Sequence, residues 1–201
     1  MARAHHDLGA VHNNKGEGRE AIGHLYRAFE LYPDTANRLR ALSDVGEALK
    51  REGRHEAARD AFLIALKAGG TKQTRAVTMI ALLELSALMD ERLSFGRWKR
   101  EIGAIVDELP AERLADFHLQ LGRGHAAFGQ FKQAERSLRQ AVALSERHRL
   151  NEYAIRAQAE LDAIKQEAAP HGAPQRLPCR ADDESALAEV AGKLRALRMA
   201  S

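Results

Sequence analysis

The residues of this chain that could bind a metal or transfer a proton are its nine histidines. His5 and His12 lie seven residues apart, and so do His118 and His125. Seven residues make two turns of an α-helix, about 10.5 Å along its axis. Zinc is held at about 2.0–2.1 Å by its nitrogen ligands, so neither pair can chelate one ion. The spacing therefore predicts a packing role and no metal site.

Other patterns that carry chemistry are weak. The only cysteine, Cys179, lies in a Pro-rich stretch, which predicts an exposed thiol and excludes an internal disulfide. The glycines of 16–18 and 122–124 lie in or between helical stretches, whereas a phosphate-binding loop follows a strand. No Gly-x-Ser-x-Gly motif occurs. The sequence predicts no cofactor and no enzymatic activity.

The charges are balanced and interspersed, with 31 basic and 28 acidic residues and a net charge of +3. The densest basic stretch, 92–100, is flanked by Glu91 and Glu101, which favours a solvated helix face over a nucleic-acid site. No apolar run reaches the ~18 residues of a membrane span, and the first residues do not resemble a signal peptide. With a single cysteine, this predicts a cytoplasmic location without membrane or nucleic-acid partners.

Small residues recur at matched spacings along the chain. Three segments share the same internal offsets: Leu8, Gly9, Gly16, Ala21, Leu25, Ala28; Val45, Gly46, Gly53, Ala58, Phe62, Ala65; and Leu121, Gly122, Gly129, Ala134, Leu138, Ala141. Glycine and alanine let two helix backbones approach closely, and the large residue fills the space beside them. We expect a degenerate copy between the second and third of these, formed by Leu85, Ser86, Trp98, Ile102, Ile105 and Pro110. In that alignment Trp98 replaces the first alanine and belongs to the core.

These residues resemble the tetratricopeptide repeat family over about residues 2–146. The resemblance implies an all-α, right-handed superhelical solenoid of antiparallel helix pairs, with about four repeats. A capping helix is expected at 151–167, so that the solenoid occupies residues 1–168. The eight repeat helices are expected at 3–15, 18–32, 36–52, 55–68, 73–91, 95–109, 112–128 and 131–146.

In this family, the first helix of each repeat lines a concave groove that binds protein or peptide ligands. Carrying this over by register predicts a peptide-binding groove of mixed charge, with apolar positions at Leu83 and Leu119. Its residues are His6, Asn13, Arg40, Ser43, Asp44, Glu47, Lys50, Leu83, Glu84, Leu119, Gln120 and Arg123.

The last 33 residues differ from the repeats. Prolines at 170, 174 and 178 predict a flexible linker over 169–182. Residues 183–201 then form an amphipathic helix, whose apolar stripe consists of Leu187, Val190, Ala191, Leu194 and Leu197. An exposed stripe of this kind would be unfavourable in water. We therefore expect the helix to dock on the repeats or to associate with a second copy of the chain.

Two functions are consistent with these features. The first is a non-catalytic scaffold that binds a protein or peptide in the groove. The second is the sensor or effector portion of a bacterial transcriptional or signalling regulator, suggested by repeats longer than 34 residues and by the helical pattern that begins at Met1.

Overall fold

A computed structural model describes residues 1–167 and 185–200, and its regular elements in those ranges are all helices. The helices are α1 (Ala2–Lys15), α2 (Gly18–Leu31), α3 (Thr35–Arg51), α4 (His55–Lys67), α5 (Lys72–Leu88), α6 (Arg92–Gly103), α7 (Ala111–Ala127), α8 (Phe131–His148), α9 (Asn151–Glu167) and α10 (Ser185–Ala200), with a 3-10 turn at Val106–Glu108. The all-α fold of repeated helix pairs is thereby confirmed. None of these described helices has the length and hydropathy to span a membrane.

The chain forms two compact units. One contains residues 1–78 together with α10, and the other contains residues 79–167, so that α5 contributes to both. The predicted linker at 169–182 and Cys179 lie outside the described residues. The predicted sixth helix, 95–109, was wrong at both ends. The helix begins at Arg92, directly after the turn from α5, and it ends at Gly103, before the 3-10 turn.

Each regular helix pair closes around a glycine that faces one large side chain. A Cβ atom added to Gly9 would lie 2.6 Å from Cγ of Leu25, and one added to Gly46 would lie 2.7 Å from Cε1 of Phe62. At Gly122 the added atom would lie 2.5 Å from Cγ of Leu138. The three glycines therefore have matching surroundings, and the predicted reason for the repeat spacing is confirmed.

The turn between paired helices also repeats. Gly53 adopts a left-handed φ of 71° and Gly129 one of 72°. In the second pair, the backbone N–H of Arg54 donates to the carbonyl of Leu49 at 2.9 Å, a bond that satisfies a free carbonyl at the helix end. Glycine suits this position because its left-handed conformation has no Cβ clash.

The third pair shows that the predicted alignment of its degenerate copy was wrong by three residues. Asp90 has the left-handed φ of 56°, and the N–H of Glu91 donates to the carbonyl of Ser86, which repeats the bonding at the other turns. Counting from Asp90, Leu83 occupies the glycine site, and Phe95 occupies the alanine site that had been assigned to Trp98. Phe95 and Trp98 lie one turn apart on the same helix, and both are buried, Trp98 as predicted. Either could therefore be aligned with the alanine site from the sequence.

Phe95 fits at an alanine site because the next helix, α7, has a glycine at the facing position. A Cβ atom added to Gly124 of α7 would lie 2.1 Å from Cε2 of Phe95. The Phe95 ring also meets the rings of His125 and Phe128 edge-on, with centroid distances of 5.5 and 5.1 Å. The large side chain at the alanine site is thus accommodated by a glycine on the following helix, and close packing is retained.

The predicted capping helix is confirmed as α9, with the predicted bounds. Its inner face joins α7 and α8 in one apolar cluster: Leu119, Ala134, Leu138, Ala141, Ala157, Leu161 and Ile164. Its outer face carries exposed polar residues such as Gln158 and Lys165, with Ile155 as an exposed exception. This division into an apolar and a polar face is what the end of a repeat array requires.

The C-terminal helix, α10, packs against α4 and α2 within its own unit. Leu187, Val190 and Leu194 are buried there, which agrees with the docking predicted from the apolar stripe. Leu197, which was assigned to the same stripe, remains 38% exposed. Self-association through this helix stays a prediction.

We expect Gly122→Ala to lower the free energy of unfolding by about 1–3 kcal/mol, because fully buried Leu138 cannot move away from the new methyl group. Gly23→Ala is the matched control, since no atom lies within 4 Å of its added Cβ. That change should raise stability by about 0.5–1 kcal/mol through helix propensity. Urea unfolding measures both changes, and equal effects of the two substitutions would contradict the proposed packing.

We expect Leu194→Ala to weaken the docking of α10 by about 2–5 kcal/mol, because the side chain is fully buried. Faster amide hydrogen exchange in α10, with little change in α7 and α8, would report this local opening. Met199→Ala should leave exchange unchanged, since Met199 is exposed on the same helix. Unchanged protection of α10 in Leu194→Ala would show that the buried stripe does not hold the helix.

Candidate functional site

The first helices of the first two repeats, α1 and α3, border a polar recess in residues 1–78. Its volume is about 460 Å³. The recess is lined by Arg3, His6, Asp7, Ala10, Tyr32, Asn37, Arg40 and Asp44. Three of the predicted groove residues, His6, Arg40 and Asp44, thus lie together. The chain places them there because His6 lies one turn before Gly9, and Asp44 lies just before Gly46.

His6 forms the centre of the recess. Its Nε2 lies 2.6 Å from Oδ2 of Asp44, and its Nδ1 lies 3.1 Å from the hydroxyl oxygen of Tyr32. When His6 is neutral and donates Nε2–H to the carboxylate, Nδ1 accepts from the Tyr32 hydroxyl. Because both ring nitrogens are used, His6 connects α1, α3 and the end of α2. The bonding fixes the shape of the recess rather than providing a free base.

The rim of the recess carries both signs of charge. Arg3 and Asp7 are exposed on α1, with Nε and Oδ2 3.9 Å apart, a separation that makes only a weak surface ion pair. Arg40 is exposed on α3. The side chain of Asp44 is 44% exposed although it is bonded to His6. A ligand would therefore meet guanidinium groups and carboxylates side by side.

The other predicted residues of α1 and α3 are engaged locally. Asn13 accepts a hydrogen bond from Arg51 at 3.0 Å, which joins the C-terminal ends of the two helices. The hydroxyl of Ser43 donates to the carbonyl of Leu39 in its own helix. Glu47 and Lys50 form an ion pair at 2.8 Å on α3. They continue the polar surface of these two helices beyond the recess.

The groove residues predicted in 79–167 are only partly on the surface. Leu83 and Leu119 were wrong as apolar contact positions, because both side chains are fully buried. Leu83 occupies a glycine site of the repeat, and Leu119 packs beneath α9. Glu84 is half-buried, and Gln120 is 5% exposed and donates to Asp116 at 3.3 Å. Burial of Asp116 raises the pKa of its carboxyl group.

Arg123, the last predicted groove residue, forms an ion pair with Glu160 of α9 at 2.7 Å. A second recess of this unit, about 480 Å³ in volume, lies elsewhere on α7 and α8. It includes Leu114, Leu144 and Arg147, together with His118, whose buried Nδ1 has no hydrogen-bond partner among the described residues. Burial lowers the pKa of His118, so the ring favours its neutral form.

Sequence reasoning missed Tyr32, Asp7 and Asn37 as recess residues. Tyr32 follows α2, and the sequence predicts it only as the last residue of a helix at 18–32. Asn37 belongs to the capping turn of α3, where its backbone N–H donates to Asp34 at 2.8 Å. A tyrosine hydroxyl that is removed from water usually finds a hydrogen-bond partner, but the sequence does not show that Tyr32 meets His6.

The predicted histidine pair of α1 is joined by a third histidine from α2. Nδ1 of His5 lies 3.0 Å from Nδ1 of His24, and the ring of His12 stacks on His24 with centroids 5.4 Å apart. His12 also bonds Glu17 at 2.6 Å. No group of three or more His, Cys, Asp or Glu that could hold a metal is found in the described parts of the chain. Burial, followed by the charges of His5 and His12, lowers the pKa of His24.

The His24 shift predicts loss of stability in mild acid. Because its pKa is lower in the folded state than the unfolded value of 6.5, the unfolded chain binds more protons at intermediate pH. The contribution of His24 is therefore intact above pH 6.5 and is lost as the pH falls through the folded pKa. We expect His24→Gln to reduce the loss of stability between about pH 7.5 and 5.5 in thermal unfolding. The control His148→Gln, at an exposed position, should leave the pH dependence of stability unchanged. Equal pH profiles for His24→Gln and wild type would refute this role of His24.

Comparison with known proteins agrees with this architecture. Residues 1–68, which comprise the first two helix pairs, match the family model described as tetratricopeptide repeat. The resemblance noted from the sequence is thus confirmed over the part of the chain that carries the recess. No curated protein matches the sequence.

Solved structures extend the similarity to nearly the whole chain. A putative kinesin light chain of Podosopora anserina with nearly identical TPR-like repeats covers 98% of this chain and 94% of its own, with a TM-score of 0.62 and 18% identity. BtubC (BKLC) from P. vanneervenii covers 89% and 85%, with a TM-score of 0.58 and 16% identity. At these identities the similarity concerns the fold alone.

Proposed function

We propose that the chain is a non-catalytic scaffold that binds a protein or peptide segment on the surface of α1 and α3. The observation that carries the proposal is the recess around His6, Tyr32 and Asp44. These side chains come from α1, from the residue after α2 and from α3, are bonded to one another, and are open to a ligand. Tetratricopeptide repeats generally serve as interaction modules, which supports the same role.

The chemistry of the rim indicates the type of ligand. Arg3 and Arg40 would pair with acidic side chains or a carboxylate, whereas Asp7 and Asp44 would pair with basic ones. An extended segment carrying both signs of charge fits this arrangement better than a uniformly charged polymer. Such a rim confers specificity more than affinity, because exposed pairs contribute little free energy individually.

Catalysis is not part of the proposal. His6 is the buried histidine of the recess, and both of its nitrogens are bonded to neighbouring side chains. A general base must have a nitrogen within reach of the substrate's proton. The expectation of a cytoplasmic location rests on the sequence and stays a prediction.

A peptide library displayed on phage and selected on the full chain provides a test. We expect selected peptides to bind wild type with micromolar affinity and to bind Arg40→Asp about tenfold more weakly, because the charge on the rim is reversed. Isothermal titration calorimetry measures both affinities. Arg136→Asp, at an exposed position of α8, is the matched control and should change the affinity less than about twofold.

Equal binding by wild type and Arg40→Asp would place the ligand elsewhere and contradict the proposed surface. Thermal unfolding of each variant must match that of wild type, so that the loss of binding reports on the rim rather than on folding. Arg40 is suited to this test because its side chain is exposed.

A further inference from the structure

The helix α10 occupies a groove between α2 and α4, the second helices of the first two repeats. Leu187, Val190 and Leu194 are its buried anchors. Lys193 lies over the ring of Tyr26 in α2, with Nζ 5.5 Å from the ring centroid. This groove is made by different helices from those that border the recess on α1 and α3.

One charged contact completes the docking. Arg198 of α10 forms an ion pair and hydrogen bond with Asp60 of α4. The side chain of Asp60 is only 7% exposed, whereas that of Arg198 is 46% exposed. A buried carboxylate is costly unless it is paired, so the groove strongly favours a helix that brings a cation to this point. Asp60 therefore selects among helices in a way that apolar contacts alone would not.

The corresponding positions of the other unit show that the groove is not a general property of the repeats. Counted from the left-handed turn residues, Ile22 and Tyr26 of α2 correspond to Gly96 and Arg100 of α6. Asp60 of α4 corresponds to Arg136 of α8 by the same count. Two apolar residues and an acid are thus replaced by a glycine and two bases, which would repel a basic residue such as that at 198. Of the two pairs compared, α2 with α4 and α6 with α8, it is α2 and α4 whose side chains match those of α10.

The docked helix can leave without disrupting the repeats. It has 16 residues and an amphipathic face, and most of the stability of such a helix comes from packing that face rather than from intrinsic propensity. Its order therefore depends on the groove. The close contacts at Gly9 and Gly46 involve α1 to α4 alone, so they persist when α10 opens locally.

We propose that the α2–α4 groove is a second protein-binding surface, which accepts an amphipathic helix from a partner. In the absence of that partner the groove is occupied by α10. The partner helix carries apolar residues at positions i, i+3 and i+7 and a basic residue at i+11, the pattern of Leu187, Val190, Leu194 and Arg198. Partner binding and α10 docking are mutually exclusive. The apparent affinity of the groove for the partner is therefore the intrinsic affinity multiplied by the fraction of time that α10 is undocked.

The test uses the full chain and a fluorescent peptide of residues 185–200 as the probe. The variant Leu187→Ser with Leu194→Ser undocks α10 in the full chain and leaves the groove residues unchanged. We expect it to bind the peptide at least about tenfold more tightly than wild type in fluorescence anisotropy, because the internal competitor has been removed. The matched control, Ala188→Ser with Met199→Ser, alters exposed positions of the same helix and should bind like wild type.

Reversing the charge at position 60 then tests whether the peptide binds in the α2–α4 groove. Asp60→Arg in the undocked variant should weaken binding about tenfold, and a peptide carrying Arg198→Asp should restore it. If the undocked variant loses more helicity by circular dichroism than the 16 residues of α10 account for, Asp60→Arg alone in the full chain is measured instead. The chain's own Arg198 then faces a second guanidinium group, and the Arg198→Asp peptide should bind more tightly than the unmodified one.

Three results would overturn the proposal. The first is no peptide binding by an undocked variant that has lost no more helicity than the 16 residues of α10 account for. The second is equal affinity of the chains with and without Asp60→Arg. The third is a wild-type mass that doubles with concentration in light scattering and no longer does so in Asp60→Arg. This last result would assign the groove to α10 of a second copy instead of a partner protein.

Discussion

The three regular helix pairs depend on one contact, in which a glycine on the first helix of a pair faces a large side chain on the second. Added Cβ atoms at Gly9, Gly46 and Gly122 would all lie within 2.7 Å of that side chain. Close approach of two backbones removes apolar surface from water and leaves little void, and it fixes the angle between the helices. Every surface described above, polar or apolar, is positioned by these pairs.

The third pair shows that the constraint is on shared volume rather than on residue type. Leu83 occupies the glycine site and Phe95 the alanine site, and Gly124 on the following helix provides the space that Phe95 needs. Protein interiors tolerate such exchanges when total volume is conserved. The turn remains regular even with Asp90 in place of glycine, because aspartate tolerates the left-handed conformation better than most residues do.

Residues 1–78 and α10 present two surfaces of different chemistry. The recess on α1 and α3 is polar and mixed in charge, which suits an extended segment recognised through its side chains. The α2–α4 groove is apolar with one buried acid, Asp60, and it suits a helix. A chain with both could hold two ligands, and the docking of α10 makes access to the second depend on conformational opening.

The sequence by itself determined the three regular helix pairs, the capping helix α9 and the amphipathic character of α10, because glycine, alanine and apolar spacings report local packing directly. It also placed His6, Arg40 and Asp44 on one surface. Only the tertiary structure decided that Leu83 and Leu119 are buried, that Tyr32 closes the recess, and that Asp60 meets Arg198, 138 residues away. These facts depend on which helices become neighbours and how they are rotated, and spacing within one helix does not contain that information.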